Sequence, residues 1–242
     1  MDNRGITVKL LIFSDIHGNQ YALFSFLNSI KGEKYDLAVF CGDIFGYYYG
    51  QRDVFDTLKS WNELIWIKGN HDQYFIDMYT NKSLEYDLIQ KYGHSYCQNL
   101  DKFTASEIEE ISNLKSGYDL FIDGKRIGIF HGTPDNPLEG RLYPKDIPDP
   151  KKYGRYDYVI LGHTHCRLNR DIGKTKVINS GSLGQPRDGN GFGYCILDTV
   201  TSDVTFYNVD IDMLGLYHDI DLYDANLIKL KSVLERNRDQ FK

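Results

Sequence analysis

Asp15 and His17 stand two residues apart where an apolar run, Leu10-Leu11-Ile12-Phe13, breaks into Ser14-Asp15-Ile16-His17-Gly18-Asn19. The pattern predicts a buried strand opening into a loop. In extended chain, residues two apart point the same way, so a carboxylate oxygen and an imidazole nitrogen can meet on one cation. Gly18 supplies the backbone freedom of a sharp exit, and Asn19 is suited to cap the helix that follows. Alone, such a pair is more commonly a capping residue beside a solvated histidine. Here it recurs. Gly42-Asp43, Gly69-Asn70-His71-Asp72, His131-Gly132 and Gly162-His163-Thr164-His165 each close another apolar run. Of seven histidines, five sit at such ends, and only His94 and His218 fall elsewhere.

The collected groups are two Asp, one Asn and several His, a mixed oxygen and nitrogen donor set without sulfur. Such a set suits divalent Mn, Fe, Ni or Zn. Seven donors exceed what one ion needs, so two metals sharing a carboxylate is the natural reading. Two cations side by side lower the pKa of a bridging water, so that hydroxide is available near neutral pH. A histidine is matched to proton transfer near pH 7.

Elements must bring these groups together. Leu23, Phe26, Leu27 and Ile30 repeat at helical spacing and predict a helix ending near Gly32. Leu37 to Cys41 and Leu64 to Ile67 are further buried strands, with a short helix from Val54 to Ser60 between them. Strand, helix, strand, helix, strand predicts a parallel sheet with right-handed crossovers. The polar carboxyl ends of such strands converge on one crevice. From Gln73 to Leu114 the texture is helical and rich in tyrosine, with helices expected over 83–92 and after the capping box at Thr104. This stretch is either ordinary packing or a lid or side wall over the site.

From Tyr118 the pattern alternates and predicts a hairpin turning on Asp123-Gly124, whose second strand ends at Phe130. Residues 133–155 hold five of the six prolines and read as one long loop over the site. Tyr158 to Leu161 is the next buried strand. Short strands at 168–172, 176–179, 194–197 and 204–207 suggest a second, more antiparallel sheet, and a helix from Leu222 to Arg236 closes the chain.

At 242 residues and 41% hydrophobic content the chain can bury a sizeable core. A net charge of −6 gives no global basic surface, so no stable nucleic-acid partner is expected, although a locally positive pocket is compatible with it. No apolar run reaches membrane-spanning length, and Met1-Asp2-Asn3-Arg4-Gly5 carry no signal-peptide pattern. Cys41, Cys97, Cys166 and Cys195 form no CxxC pair, so neither a thiolate zinc site nor a disulfide framework is indicated, and a reduced cytoplasm is the expected location.

Asp15-x-His17, Gly42-Asp43, Gly69-Asn70-His71-Asp72, His131-Gly132 and Gly162-His163-x-His165 resemble the five ordered motifs of the calcineurin-like metallophosphoesterases, over about residues 8 to 210. Residues 181–188, Gly-Ser-Leu-Gly-Gln-Pro-Arg-Asp, resemble the signature of the small bacterial and archaeal phosphodiesterase branch. The resemblance implies an α/β fold, a two-sheet β-sandwich flanked by helices in four α/β/β/α layers, as a single domain over residues 1–242. It implies that Asp15, His17 and His165 hold one metal, that Asn70, His131 and His163 hold a second, and that Asp43 bridges them. Mn or Fe is the first choice of ion, with Ni or Zn next. His71 would be the catalytic histidine beside the leaving group. Larger phosphatases place an acidic partner for that histidine where this chain has Gly46, and Asp72 is expected to take the role.

The implied activity is a metal-dependent phosphoesterase acting on a small phosphoester, with a diester favoured over a phosphomonoester or phosphoprotein. A non-catalytic scaffold of the same fold, as in the small retromer subunit, is the alternative, and an intact His71 beside a complete ligand set speaks against it. Tyr47, Tyr48 and Tyr49 follow Asp43 closely, and Arg187 lies in the glycine-rich loop after His165. Aromatic faces beside a guanidinium would suit a base-plus-phosphate ligand. The competing reading is that the tyrosines pack on a neighbouring helix and Arg187 pairs with Asp188. Oligomeric state is not legible.

Overall fold

The computed structural model describes residues 8–236. The first residues, read above as carrying no signal-peptide pattern, lie outside the described residues. Strand β1 (Lys9–Phe13) is followed by helix α1 (Gln20–Ser29), which tightens into a 3₁₀ turn over Ile30–Gly32. Then come β2 (Leu37–Phe40), α2 (Gln51–Lys59) and β3 (Leu64–Trp66). β1 pairs parallel with β2, and β2 with β3, so all three carboxyl ends point the same way. Asn19 caps α1 as expected, its Oδ1 accepting from the Ala22 amide at 3.1 Å.

Four helices follow: α3 (Asn70–Thr80), α4 (Glu85–Tyr92), α5 (Ser95–Leu100) and α6 (Ala105–Asn113), the last opened by the Thr104–Glu107 capping box. The hairpin of β4 (Gly117–Ile122) and β5 (Lys125–Phe130) turns on Asp123-Gly124, both at positive φ, as a two-residue hairpin turn requires. The remaining strands are β6 (Tyr158–Leu161), β7 (Arg167–Ile172), β8 (Thr175–Ser180), β9 (Gly193–Asp198) and β10 (Val204–Asn208), with α7 (Met213–Asp224) and α8 (Lys229–Ser232) last.

The strands form two five-stranded sheets, ordered β10-β9-β1-β2-β3 and β4-β5-β6-β8-β7. This corrects the sequence reading of the second half. β9 and β10 return to the first sheet, where β9 runs antiparallel to β1, and the second sheet has a parallel centre of β5, β6 and β8. Alternation along β1 shows why it must be covered on both faces. Leu10 and Ile12 face the second sheet among Ile127, Ile129, Ile160 and Ile178, while Leu11 and Phe13 face the helices beside Phe26 and Phe40. Two sheets flanked by helices match the expected fold class.

The proline-rich loop divides between two places: its Arg141 reaches the end of β6, with Nε 3.0 Å from His163 Nε2. The loop's apolar side chains Leu142 and Tyr153, with Tyr156 just beyond, cover the outer face of the second sheet against Val159, Leu161 and Val177. The closing helix differs from expectation. Asp212 caps a helix that starts earlier, at Met213, by accepting from the Leu214 and Gly215 amides. That helix stops at Asp224, whose carboxylate takes hydrogen bonds from the Tyr49 hydroxyl (2.7 Å) and the His94 amide (3.0 Å). No helix among the described residues is long and apolar enough to cross a membrane.

The inter-sheet core positions the loops above it. Ile160→Ala, at a fully buried position between the sheets, should destabilise the fold by about 2–5 kcal/mol. Urea unfolding should show this as a lower midpoint with an unchanged slope.

Candidate metal centre

Every predicted ligand sits just past the carboxyl end of a strand. Asp15 and His17 follow β1, Asp43 follows β2, Asn70 opens α3 after β3, His131 follows β5, and His163 and His165 follow β6. All are buried. Five of them, Asp15, His17, Asp43, His163 and His165, have φ between +51° and +67°. Non-glycine residues adopt this region only where the surroundings impose it, at about 1–2 kcal/mol each. Cross-ties impose it here. The Asp15 amide donates to the Gly42 carbonyl and the His17 amide to the Asp43 carbonyl, each at 3.0 Å. The loop between β8 and β9 adds bonds from the Leu183 amide to Ser14 and from the Gly184 amide to Asp15.

The side chains form two groups that share Asp43: Asp15, His17, Asp43 and His165 in one, and Asp43, His131 and His163 in the other. The ligand atoms within each group lie within 4.8 Å of one another. Asn70 joins the second, its Oδ1 2.9 Å from His131 Nε2. Asp43 is held in an asymmetric way. Its Oδ1 accepts from the His71 amide (2.9 Å) in the first turn of α3. Its Oδ2 is buried without a hydrogen-bond partner among the described residues, 3.6 Å from His17 Nε2 and 3.3 Å from His131 Nε2. Three histidines have their other nitrogen committed to a backbone carbonyl: His17 Nδ1 to Phe45 (2.7 Å), His131 Nδ1 to Cys41 (2.7 Å) and His165 Nδ1 to Gln185 (2.6 Å). A proton on Nδ1 turns the Nε2 lone pair inward, the arrangement a ligating histidine requires. A bare carboxylate oxygen between oriented imidazoles fits a divalent cation.

Electrostatics agree at His17, His163 and Asp15 and differ at His131. Burial, with the charge of neighbouring His165, holds His17 well below its usual pKa. Burial, aided by His131, pulls His163 down to about 3. Both are neutral at pH 7, as ligation requires. Burial would raise Asp15, but His165, His131 and His17 outweigh it and keep the carboxyl low. Burial, opposed in part by His131, pushes Asp43 up to about 7. Asp43 in turn raises His131 to about 10 against the pull of burial, so this ring holds a proton at Nε2 as well, which ligation of a cation would displace.

His71 joins the site but is not in either ligand group. Its ring lies 4.8 Å centroid to centroid from His17, 4.9 Å from Tyr47 and 4.6 Å from Tyr92. Its partner corrects the sequence reading of Asp72. Both Asp72 oxygens are taken by backbone amides, of Gly69 (2.8 Å), Asp43 (3.0 Å) and Ile44 (2.8 Å), so this residue ties the second and third motifs together. The group that meets His71 Nδ1 is the Tyr96 hydroxyl, at 2.6 Å. Gly46, with φ of +88°, leaves room for it. A Cβ there would lie 2.3 Å from His71 Nδ1 and 3.0 Å from the Tyr96 hydroxyl.

Two further residues were not foreseen in this role. Tyr96 was visible only as one of several tyrosines at 73–114. Arg141, whose Nε lies 3.0 Å from His163 Nε2, carried no signal in a loop of unmarked spacing. Of the aromatic triplet, only Tyr47 faces the site, edge-on to His17 at 4.7 Å. Tyr48 and Tyr49 pack beneath α7 and α8 with Leu216, Ile220 and Leu230, so the packing reading holds for them. Arg187 pairs with neither reading's carboxylate: Nη2 donates to the Tyr47 hydroxyl (2.9 Å) and Gln185 Oε1 (2.8 Å), while Asp188 accepts from backbone amides.

The sequence pattern of the calcineurin-like phosphoesterase superfamily domain matches residues 8–202. An uncharacterized protein of Methanocaldococcus jannaschii is 30% identical over 230 residues, 87% of this chain and 91% of that protein. Among solved structures, a metallophosphoesterase from Sphaerobacter thermophilus superposes with a TM-score of 0.74 at 22% identity, covering 95% of this chain and 98% of the other. A hypothetical protein from Pyrococcus horikoshii gives 0.78 at 19% identity, covering 94% and 97%. Motifs, sheet topology and sequence match agree: this chain belongs to the calcineurin-like phosphoesterase superfamily.

Proposed function

We propose that this protein hydrolyses phosphoesters, diesters in preference to monoesters, with two divalent ions. The observation that carries the reading is Asp43 Oδ2, buried and unpartnered between two groups of ligand atoms. Asp15, His17 and His165 would hold one ion and Asn70, His131 and His163 the other, with Asp43 common to both. Mn or Fe is the preferred occupant for this oxygen and nitrogen set. Divalent ions so placed supply charge that activates water and neutralises phosphoryl oxygens.

The remaining work falls to side chains. Tyr96 is fully buried, and burial holds its phenol well above the usual pKa, so it keeps its proton. Its hydroxyl has no other hydrogen-bond partner among the described residues, so that proton goes to His71 Nδ1. The His71 N–H is then at Nε2. Burial, reinforced by His17 and Arg187, keeps this ring neutral. A neutral imidazole with a fixed Nε2–H can donate a hydrogen bond to the leaving oxygen of the ester and stabilise the charge that develops there, while keeping its own proton. Around it, the rings of Tyr47, Tyr74 and Tyr92 form a wall suited to an organic ester substituent, which supports the diester preference. Arg141 and Arg187 bring cations to opposite edges of the centre. The defining test is a panel of diester, monoester, dinucleoside polyphosphate and phosphopeptide substrates assayed with Mn. Faster turnover of monoester or phosphopeptide would overturn the diester preference.

Asp43→Asn should lower metal affinity on both sides of the centre by on the order of tenfold or more, since it removes charge from a shared ligand. Metal analysis after reconstitution with Mn should find two ions per wild-type chain and fewer in the variant. A wild-type content of one ion or none would refute the dinuclear centre.

His71→Ala should cost about 10²–10⁴ in rate on esters with poor leaving groups and much less on nitrophenyl esters, with metal content intact. Tyr96→Phe keeps the ring and removes the proton that sets the tautomer. It should slow the same poor substrates by about tenfold, and have no further effect in a His71→Ala background.

A further inference from the structure

Beside the metal centre, on the far side of Tyr47, lies a second cleft of about 290 Å³. Its walls carry four cations, Lys91, Arg187, Lys229 and Arg236, together with Tyr47 and Gln185, and no carboxylate lines it. That is against the trend of a chain with net charge −6. Among the described residues none of the four takes part in an ion pair. Three polar contacts made there are to uncharged oxygens: Arg187 to Gln185 and to the Tyr47 hydroxyl, and Lys229 to the Gln90 carbonyl at 3.4 Å.

Cleft and centre share a wall. The Tyr47 ring stands 4.7 Å from His17 and 4.9 Å from His71 on one side, and its hydroxyl meets the Arg187 guanidinium on the other. Gln185 spans the same boundary, its carbonyl accepting from His165 Nδ1 and its Oε1 from Arg187. Lys229 and Arg236 come from the segment after residue 202, beyond the part of the chain that matches the superfamily pattern. The C-terminal segment thus supplies two of the cleft's four cations.

Resting on the phosphoesterase reading, we propose that this cleft is a subsite for a second phosphate of the substrate, so that the preferred substrates are phosphoesters carrying a further phosphate beyond the scissile one. Unpaired cations facing a small volume are what a multiply charged phosphate requires, and a guanidinium at the boundary can grip an oxygen pair in a planar way. Tyr47 sets the distance between the two phosphates, since its ring separates the cleft from His17 and His71.

The test reverses charge at exposed positions outside the catalytic centre. In Lys229→Glu and Lys91→Glu holoenzyme, KM for a dinucleoside tetraphosphate should rise about tenfold, and more at low salt than at high. KM for bis(4-nitrophenyl) phosphate, which has no second phosphate, should stay within about twofold. Lys229→Met, a neutral change, should move the first KM the same way by less. Independently of turnover, calorimetry on metal-free protein should find methylenebisphosphonate bound by wild type and bound at least fivefold more weakly by Lys229→Glu. Equal KM changes for both substrates, or none for the tetraphosphate, would overturn the subsite. A change in kcat for the small diester on adding pyrophosphate, without a rise in its KM, would instead mean a free anion occupies the cleft, and would also overturn it. If wild type hydrolyses neither substrate, the phosphoesterase reading fails, and calorimetry alone decides for or against the cleft.

Discussion

The Asp43 carboxylate is the contact on which both halves of the centre depend. One oxygen is fixed by the His71 amide at the start of α3, where the helix dipole favours a negative charge. The other is left without a hydrogen bond, between imidazoles that come from different sheets, His17 from the loop after β1 and His131 from the end of β5. Asp72 supports this from below by collecting the Gly69, Asp43 and Ile44 amides. Close approach is part of the device: a Cβ at Gly69 would stand 2.0 Å from Asp43 Oδ1. A carboxylate held by one oxygen and bare at the other is costly in a protein interior unless a cation completes it.

That cost is matched by backbone strain. The left-handed conformations at Asp15, His17, Asp43, His163 and His165 turn each side chain inward directly after its strand. They persist because loops of the two sheets are tied to each other. The Ser14 and Asp15 carbonyls accept from the loop after β8, and the Asp15 carboxylate accepts from the His163 amide. The face-to-face core of isoleucines beneath keeps those loops at a fixed separation. Strain, cross-ties and core thus act together to hold ligand atoms in place before any ion arrives.

Around His71 the chain has replaced a charged partner with an aromatic one. A tyrosine hydroxyl at Nδ1 orders the ring and sets its tautomer without adding negative charge, which keeps the imidazole neutral among its cationic neighbours. Gly46 and Tyr96 are two parts of one solution, because a Cβ at Gly46 would stand 2.3 Å from His71 Nδ1, the nitrogen that the hydroxyl meets. The same segment that brings Tyr96 also brings Tyr92 and Tyr74 to the leaving-group side. Phe75 from that segment goes to the core against Phe45, and Tyr86 is exposed, so the tyrosine-rich stretch is part wall and part ordinary packing.

The cluster of candidate ligands was legible in the residues themselves, because strand-end position and side-chain type are both local properties. Asp15, His17, Asp43, Asn70, His131, His163 and His165 each follow an apolar run, and parallel pairing leaves those ends on one side. The same locality made β1 to β6 and the Asp123-Gly124 turn readable. What needed tertiary structure is whatever depends on distance across the fold. Alternation in β9 and β10 identifies strands but not the sheet they join, since edge pairing with β1 is a long-range choice. The partner of His71 comes from a helix 25 residues away, and Asp72, the nearer candidate, is drawn off by backbone amides that no sequence pattern reveals. Tyr47 and Tyr48 are neighbours with identical side chains, yet one faces the metal centre and the other packs under α8. The positive φ of Tyr47 and the apolar surface of the C-terminal helices decided between them.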